Sequence, residues 1–178
     1  MESRLFLRVP SMEDMWFRRA MLEDPATMSY NRGYSLDTPD YDPVTGCIAF
    51  PPDRWEQWRA RWVGKEPERF YAYLVRKTDG AFLGEVCLRR DGDDPRYEMG
   101  IVLYAPFRGR GYAREGLRLL LKQAFECLGA ETVTNCFEVT RAAALRIHKA
   151  AGFTQTARKG DLIELLMTRE RFIGRFSE

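Results

Sequence analysis

Lysine is scarce in this chain. Of its 28 basic residues only Lys65, Lys77, Lys122, Lys149 and Lys159 are lysine, and the rest are arginine. A planar guanidinium suits phosphate and carboxylate recognition, but a bias in genome composition explains the imbalance as simply, so it assigns no function. Histidine occurs once, at His148, and the four cysteines, Cys47, Cys87, Cys127 and Cys136, form no C-x-x-C pair. A zinc site is therefore not expected, nor any other bound metal. No apolar run approaches the ~20 residues that span a bilayer. The opening "MESRLFLRVPSMED" lacks the apolar segment of a secretion signal. These absences point to a cytoplasmic protein with reduced thiols and no membrane partner. A net charge of +2 makes no case for a nucleic-acid partner.

What is present describes an ordinary globular chain. Its 178 residues are 45% hydrophobic and 30% charged, which fits a single domain over 1–178. "RLFLRV" (4–9) alternates like a first strand. Ser11 and Asp14 then form a capping box for a helix over Met12 to Glu23, which Pro25 closes. Residues 27–50 hold Asn31, Gly33, Pro39, Pro43 and Gly46 without any period, as expected of a long loop. "PPDRWEQWRARWV" (51–63) predicts a helix whose Trp55, Trp58 and Trp62 pack into the core. Strands are expected over 69–77, 81–90 and 96–104, joined by turns at Asp79-Gly80 and 91–95 into an antiparallel meander. An amphipathic helix follows, with Ala113, Leu117, Leu120, Leu121, Ala124, Phe125 and Leu128 on one face, and Gly129 ends it. A strand over 132–139, a helix over 141–151 and a last strand over 161–172 complete the reading. The fold class is α/β, with a mixed, partly antiparallel central sheet flanked by helices.

One stretch carries chemistry. "APFRGRGYAREG" (105–116) lies between a strand and the mouth of that amphipathic helix. The first amides of a helix lack intrahelical partners, and the helix dipole places positive charge beside them. Glycines let the backbone approach an anion closely, and Arg108 and Arg110 add charge. The stretch therefore predicts a phosphate cradle. A dinucleotide fingerprint fails, because Arg114 stands where its third glycine belongs and the preceding strand lies in a meander. No G-x-x-x-x-G-K-[ST] run exists.

What fits is R-x-x-G-x-A, formed by Arg108, Gly111 and Ala113. It resembles the acyl-CoA pyrophosphate loop of the GNAT N-acetyltransferase superfamily, written [QR]-x-x-G-x-[GA]. The meander, the long helix and a later "RAAALRIHKAAGF" (141–153) come in that family's order. "RLFLRV" and "GYAREGLRLLLKQAF" look most like the branch of ribosomal-protein N-terminal and polyamine acetyltransferases. The resemblance implies the GNAT fold and direct transfer of an acetyl group from acetyl-CoA, the co-substrate, to a primary amine. It implies CoA contacts by Ile101, Val102 and Leu103 on a splayed strand and by Arg108, Gly109, Arg110, Gly111, Tyr112 and Ala113 in the loop. Dimers are frequent in the family, and the residues do not decide whether this chain forms one.

Three positions depart from the family pattern. Arg141 and Ala144 replace an asparagine and a serine that commonly help hold CoA, and Arg141 is a candidate for a CoA phosphate. His148 stands where the family often carries a tyrosine that protonates the leaving thiolate. It is a catalytic candidate, since histidine titrates near neutrality; the plainer alternative is a histidine filling a helix face. Glu98 is the candidate base for the amine proton, and Glu85 on the neighbouring strand is a lesser one, taken as substrate-binding. Tyr30 and Tyr34 are expected to line the acceptor site. With Tyr41, Asp37, Asp40 and Asp42 they suggest a small cationic amine, and a peptide amine is the other acceptor class the residues allow. A non-catalytic acyl-CoA-binding module of the same fold is the main alternative. A nucleic-acid binder using "RGRGYAR" is opposed by the low net charge and the acidic loop.

Overall fold

The apolar residues at 117, 120, 121, 124 and 125 recur at the helical period, and each is buried. They lie on α4 (Tyr112–Lys122), which continues into a π-helical segment over Gln123–Cys127. The computed structural model describes residues 3–38 and 40–176; Pro39, read from sequence as a turn former, lies outside the described residues.

Seven strands form one sheet: β1 (Leu5–Arg8), β2 (Arg69–Arg76), β3 (Phe82–Arg90), β4 (Arg96–Leu103), β5 (Thr132–Glu138), β6 (Thr154–Lys159) and β7 (Leu162–Thr168). Their order is β1-β2-β3-β4-β5-β7-β6. All neighbours are antiparallel except β4 and β5, which run parallel. Side chains alternate between the two faces of each strand. On one face Leu74, Val86, Leu88, Met99, Val133 and Leu165 pack with the apolar stripe of α4. On the other, Tyr71, Tyr73 and Val75 pack with Phe17 and Met21 of α1 (Met15–Leu22). Burying each such large side chain contributes about 1.5–3 kcal/mol. Trp58 and Trp62 of α3 (Trp55–Trp62) join that second layer as the tryptophan stripe predicted, with the Trp58 and Tyr71 rings 4.7 Å apart.

Three local expectations are corrected. Pro25 does not merely close a helix; it opens α2 (Pro25–Met28), because Asp24 precedes it and accepts from the Thr27 amide at 2.9 Å as an N-cap. The last strand ends at Thr168, and Arg169–Phe176 forms a helix, α6, whose Phe172 stacks on Phe125 of the α4 extension. The edge strand β6 escapes sequence reading because "TQTARK" is polar and almost wholly exposed, so no apolar alternation marks it.

Candidate active site

Thr27 and the glycine loop meet at the open end of β4. The Thr27 hydroxyl accepts from the Ala105 amide at 2.9 Å, and Arg108 reaches across to donate to the carbonyls of Ala26 at 2.9 Å and Thr27 at 2.7 Å. Its Nε also donates to the Leu103 carbonyl at 3.2 Å. Arg108 thus ties the loop to α2 and to the end of β4, with its guanidinium engaged by main-chain oxygens. From the other side Arg4 stacks on the Tyr112 ring at 4.6 Å, pairs with Glu115 at 2.6 Å and donates to the Arg110 carbonyl at 3.1 Å. Among the described residues none of the amides of 109–113 donates to a backbone carbonyl. Gly111, at φ +82°, caps α4 in the left-handed region that favours glycine. The result is a run of free backbone donors at a helix N-terminus, an arrangement whose chemistry suits an anion.

The second element is a parting of strands. β4 and β5 share only three register pairs, Arg96 with Thr132, Tyr97 with Val133 and Glu98 with Thr134. Beyond them β4 pairs only with β3, and β5 only with β7. The facing edges of Met99–Leu103 and Asn135–Glu138 therefore hold backbone groups free for a ligand. A cavity of about 920 Å³ opens between them and runs to the glycine loop.

Its wall brings together many of the residues singled out in the sequence. Ile101, Val102, Leu103, Arg108, Gly109, Gly111, Tyr112, Ala113, Arg141, Tyr30 and His148 all line it. Arg110, Tyr34, Glu85 and Glu98 stand outside this wall. Residues that the motif did not flag also line it: Arg114 in the first turn of α4, Asn135 and Cys136 on β5, and Thr140 before α5 (Ala142–Ala151). Arg114 was legible as a charge one turn from the glycines; nothing local marked the other three.

His148 is buried against Phe137 and Phe153, with ring centroids 5.2 and 5.0 Å away. Its Nδ1 lies 2.8 Å from the Ala144 carbonyl, which can only accept, so Nδ1 carries the hydrogen. Its Nε2, 3.0 Å from Asn135 Nδ2, then accepts. Burial pushes its pKa below the ordinary 6.5, a shift the Ala144 bond partly opposes. Tyr30 contrasts with it. Burial and the Glu85 charge push its phenol upward, against Arg141, Arg18 and Arg108, and its hydroxyl meets only the Met28 sulfur at 3.9 Å among the described residues. Arg141 lies over the Tyr30 ring at 4.8 Å and pairs with Glu138 at 2.5 Å.

On the opposite face of the sheet Glu85 pairs with Arg18 at 2.5 Å and also accepts from the Tyr71 hydroxyl. Arg18 lies over the Trp58 ring at 4.2 Å, and its Nε is buried without a partner among the described residues. Glu98 pairs with Arg89 and lines a second cavity of about 490 Å³, which shares Cys136 with the first. Tyr34 is exposed, and its carbonyl accepts from the Tyr41 hydroxyl at 2.9 Å.

Residues 4–154 match the family model described as an acetyltransferase (GNAT) domain. The chain belongs to the GNAT acetyltransferase family. A search of curated proteins finds no match. Among solved structures, spermidine N-acetyltransferase from Vibrio cholerae in complex with CoA and spermine superposes with a TM-score of 0.77 at 16% identity, over 96% of this chain and 98% of that one. A chimera of that enzyme gives 0.75 at 15% identity, over 97% of this chain and 100% of the other. A GNAT-family acetyltransferase from Bacillus anthracis gives 0.72 at 14% identity, over 96% and 98%. At these identities the likeness is one of fold, and it places this chain's mixed sheet and flanking helices among GNAT structures.

Proposed function

We propose that this GNAT chain is a single-domain N-acetyltransferase that moves an acetyl group from acetyl-CoA to a primary amine by direct attack. The observation that carries this reading is one cavity bounded by two unpaired strand edges and by five unengaged amides at the mouth of α4. The amides of 109–113 and Arg114 suit a pyrophosphate, and the free edge of Ile101 to Leu103 suits a pantetheine arm with its amides. The spermidine enzyme of similar fold is described as a complex with CoA, which agrees with a CoA ligand here. A cytoplasmic setting accords with four unpaired cysteines.

The reaction joins the amine nitrogen to the acetyl carbon and breaks the carbon–sulfur bond. The amine must first lose a proton, and the departing thiolate must gain one. Backbone donors on the free β4 edge polarise the thioester oxygen. Glu98, ion-paired with Arg89 in the second cavity at the point where β4 and β5 part, takes the amine proton through water, the Arg89 pair holding its carboxylate in place. His148 holds its one proton in the bond to Ala144 and resists a second, so we assign it to positioning Asn135 and the α5 wall. The phenol of Tyr30, in the cavity wall with only a weak sulfur partner, supplies the proton to the thiolate. Branch membership near the polyamine acetyltransferases draws on the sequence resemblance and on the spermidine enzymes of similar fold.

The test is release of CoA thiol from acetyl-CoA in the presence of a panel of primary amines. Amine-dependent release supports the transferase. Acetyl-CoA binding without release by any amine would favour the non-catalytic acyl-CoA-binding module.

A further inference from the structure

The sheet face opposite α4 carries four carboxylates around the point where the strands part. They are Glu85 on β3, Glu98 on β4, Glu138 at the end of β5 and Glu164 on β7. Register places Glu85 beside Val102 and Glu164 beside Cys136, the residue shared by the two cavities. Glu98 and Glu164 line the second cavity with Cys136, whose thiol burial and the charges of Glu164, Glu98 and Glu138 push upward.

Each of the four is closed by an arginine. Arg18 bonds to Glu85 at 2.5 Å and Arg89 to Glu98; Arg141 lies 2.5 Å from Glu138 Oε2 as an ion pair, although that buried oxygen makes no hydrogen bond among the described residues; and Glu164 has Arg96 at 3.5 Å and the Thr156 hydroxyl at 2.9 Å. Arg90 and Asp91 in the second cavity carry opposite charges. Two of the three loop acids that sequence reading offered for a cation are also in use. Asp40 pairs with Arg54, and Asp42 accepts from the Val44 amide and the Thr45 hydroxyl in its own turn. A polyamine keeps at least one ammonium after the reacting nitrogen is deprotonated. That charge needs a carboxylate of its own, and taking one here strands an arginine beside the incoming cation.

Resting on the transferase reading above, we propose that Arg18, Arg89, Arg96 and Arg141 are specificity determinants that keep the acceptor side charge-neutral and exclude polycations. The acceptor is an amine with no second positive charge, and its remainder is neutral or carries an anion. This narrows the substrate class by electrostatics, which is how like-charge contact rejects a wrong partner.

The experiment compares 1-aminopentane, 5-aminopentanoate and 1,5-diaminopentane, which differ mainly in the charge at the far end, with spermidine as a fourth. Turnover is read as thiol release, and binding to the CoA-loaded protein is read by calorimetry. The diamine and spermidine should fall about 10-fold or more below the monoamine in kcat/KM and in affinity. Arg96→Gln, which uncovers Glu164, should lower KM for the diamine several-fold. Adding Glu164→Gln to that variant should remove the gain, which a merely structural effect of Arg96 would not do. Equal or better use of the diamine and spermidine by the wild type overturns the proposal while leaving the transferase intact. So does an Arg96→Gln variant that binds the diamine no better. Loss of acetyl-CoA binding itself would instead remove the transferase reading, and this inference with it.

Discussion

Arg108 Nη2 donates to the main-chain carbonyl of Thr27 at 2.7 Å, joining residues 81 apart in sequence. Thr27 is fully buried and its hydroxyl receives the Ala105 amide, so the short α2 helix and the loop are fastened at two points. The first arginine of the R-x-x-G-x-A motif thus acts as a brace for the loop, whose backbone amides remain free. Arg108→Ala removes three hydrogen bonds, each worth about 0.5–1.5 kcal/mol net and the exposed ones least. Thermal unfolding should show a loss of about 1–2 kcal/mol, with acetyl-CoA affinity reduced about 10-fold. Arg108→Lys should not restore the affinity, because one ammonium lacks the spread of a guanidinium. Full affinity in both variants would show the brace to be dispensable.

Gly111 stands at φ +82°, and a Cβ built on it would meet nothing nearer than Arg4 Nη2 at 3.4 Å. The demand for glycine there comes from backbone conformation rather than from crowding by protein. A β-branched residue in that region costs about 1–3 kcal/mol and turns the following amides. Gly111→Val should therefore weaken acetyl-CoA binding at least about 10-fold. Gly80, at φ +70° with nothing within 4 Å, supplies the control: Gly80→Val carries comparable strain in a distant turn and should keep the affinity. Equal effects at both positions would reduce the Gly111 result to a loss of stability.

His148 and Tyr30 separate by pH and by rate. Burial lowers the His148 pKa below the ordinary 6.5, so as pH falls the unfolded chain takes the proton before the folded one. The stability held in neutral His148 is complete above about pH 6.5 and is lost as pH drops below it. The stability difference between wild type and His148→Gln should shrink over that interval; a constant difference would mean that the imidazole is not held neutral. Tyr30→Phe should lower kcat roughly 10²-fold with acetyl-CoA affinity kept within a few-fold. If kcat survives in Tyr30→Phe, the proton reaches the thiolate by another route.

The glycine loop and the long helix were legible because their signals are local: two glycines, two arginines and an apolar period within one stretch. The order of the main elements followed from the same kind of signal. The brace on Arg108 was not legible, because its partners Ala26 and Thr27 lie in a segment without period. The parting of β4 and β5 was expected only through the family resemblance, since no residue pattern reports where two distant strands stop pairing. Asn135 and Thr140 enter the cavity for the same tertiary reason. The acids at 37, 40 and 42 suggested a cation, yet pairing such as Arg54 with Asp40 is invisible in a charge count. Helix α6 was absorbed into a strand reading because "TRERF" follows β7 without a glycine or proline to mark the change.

The glycine loop and the parted strands are proposed to form one acyl-CoA site. Calorimetric titration of the purified protein with acetyl-CoA, with NADH and ATP as controls, tests it most directly. One site of roughly micromolar affinity is expected, selective for acetyl-CoA and weakened in Gly111→Val; absence of binding, or equal binding of ATP and NADH, would contradict a shared acyl-CoA site.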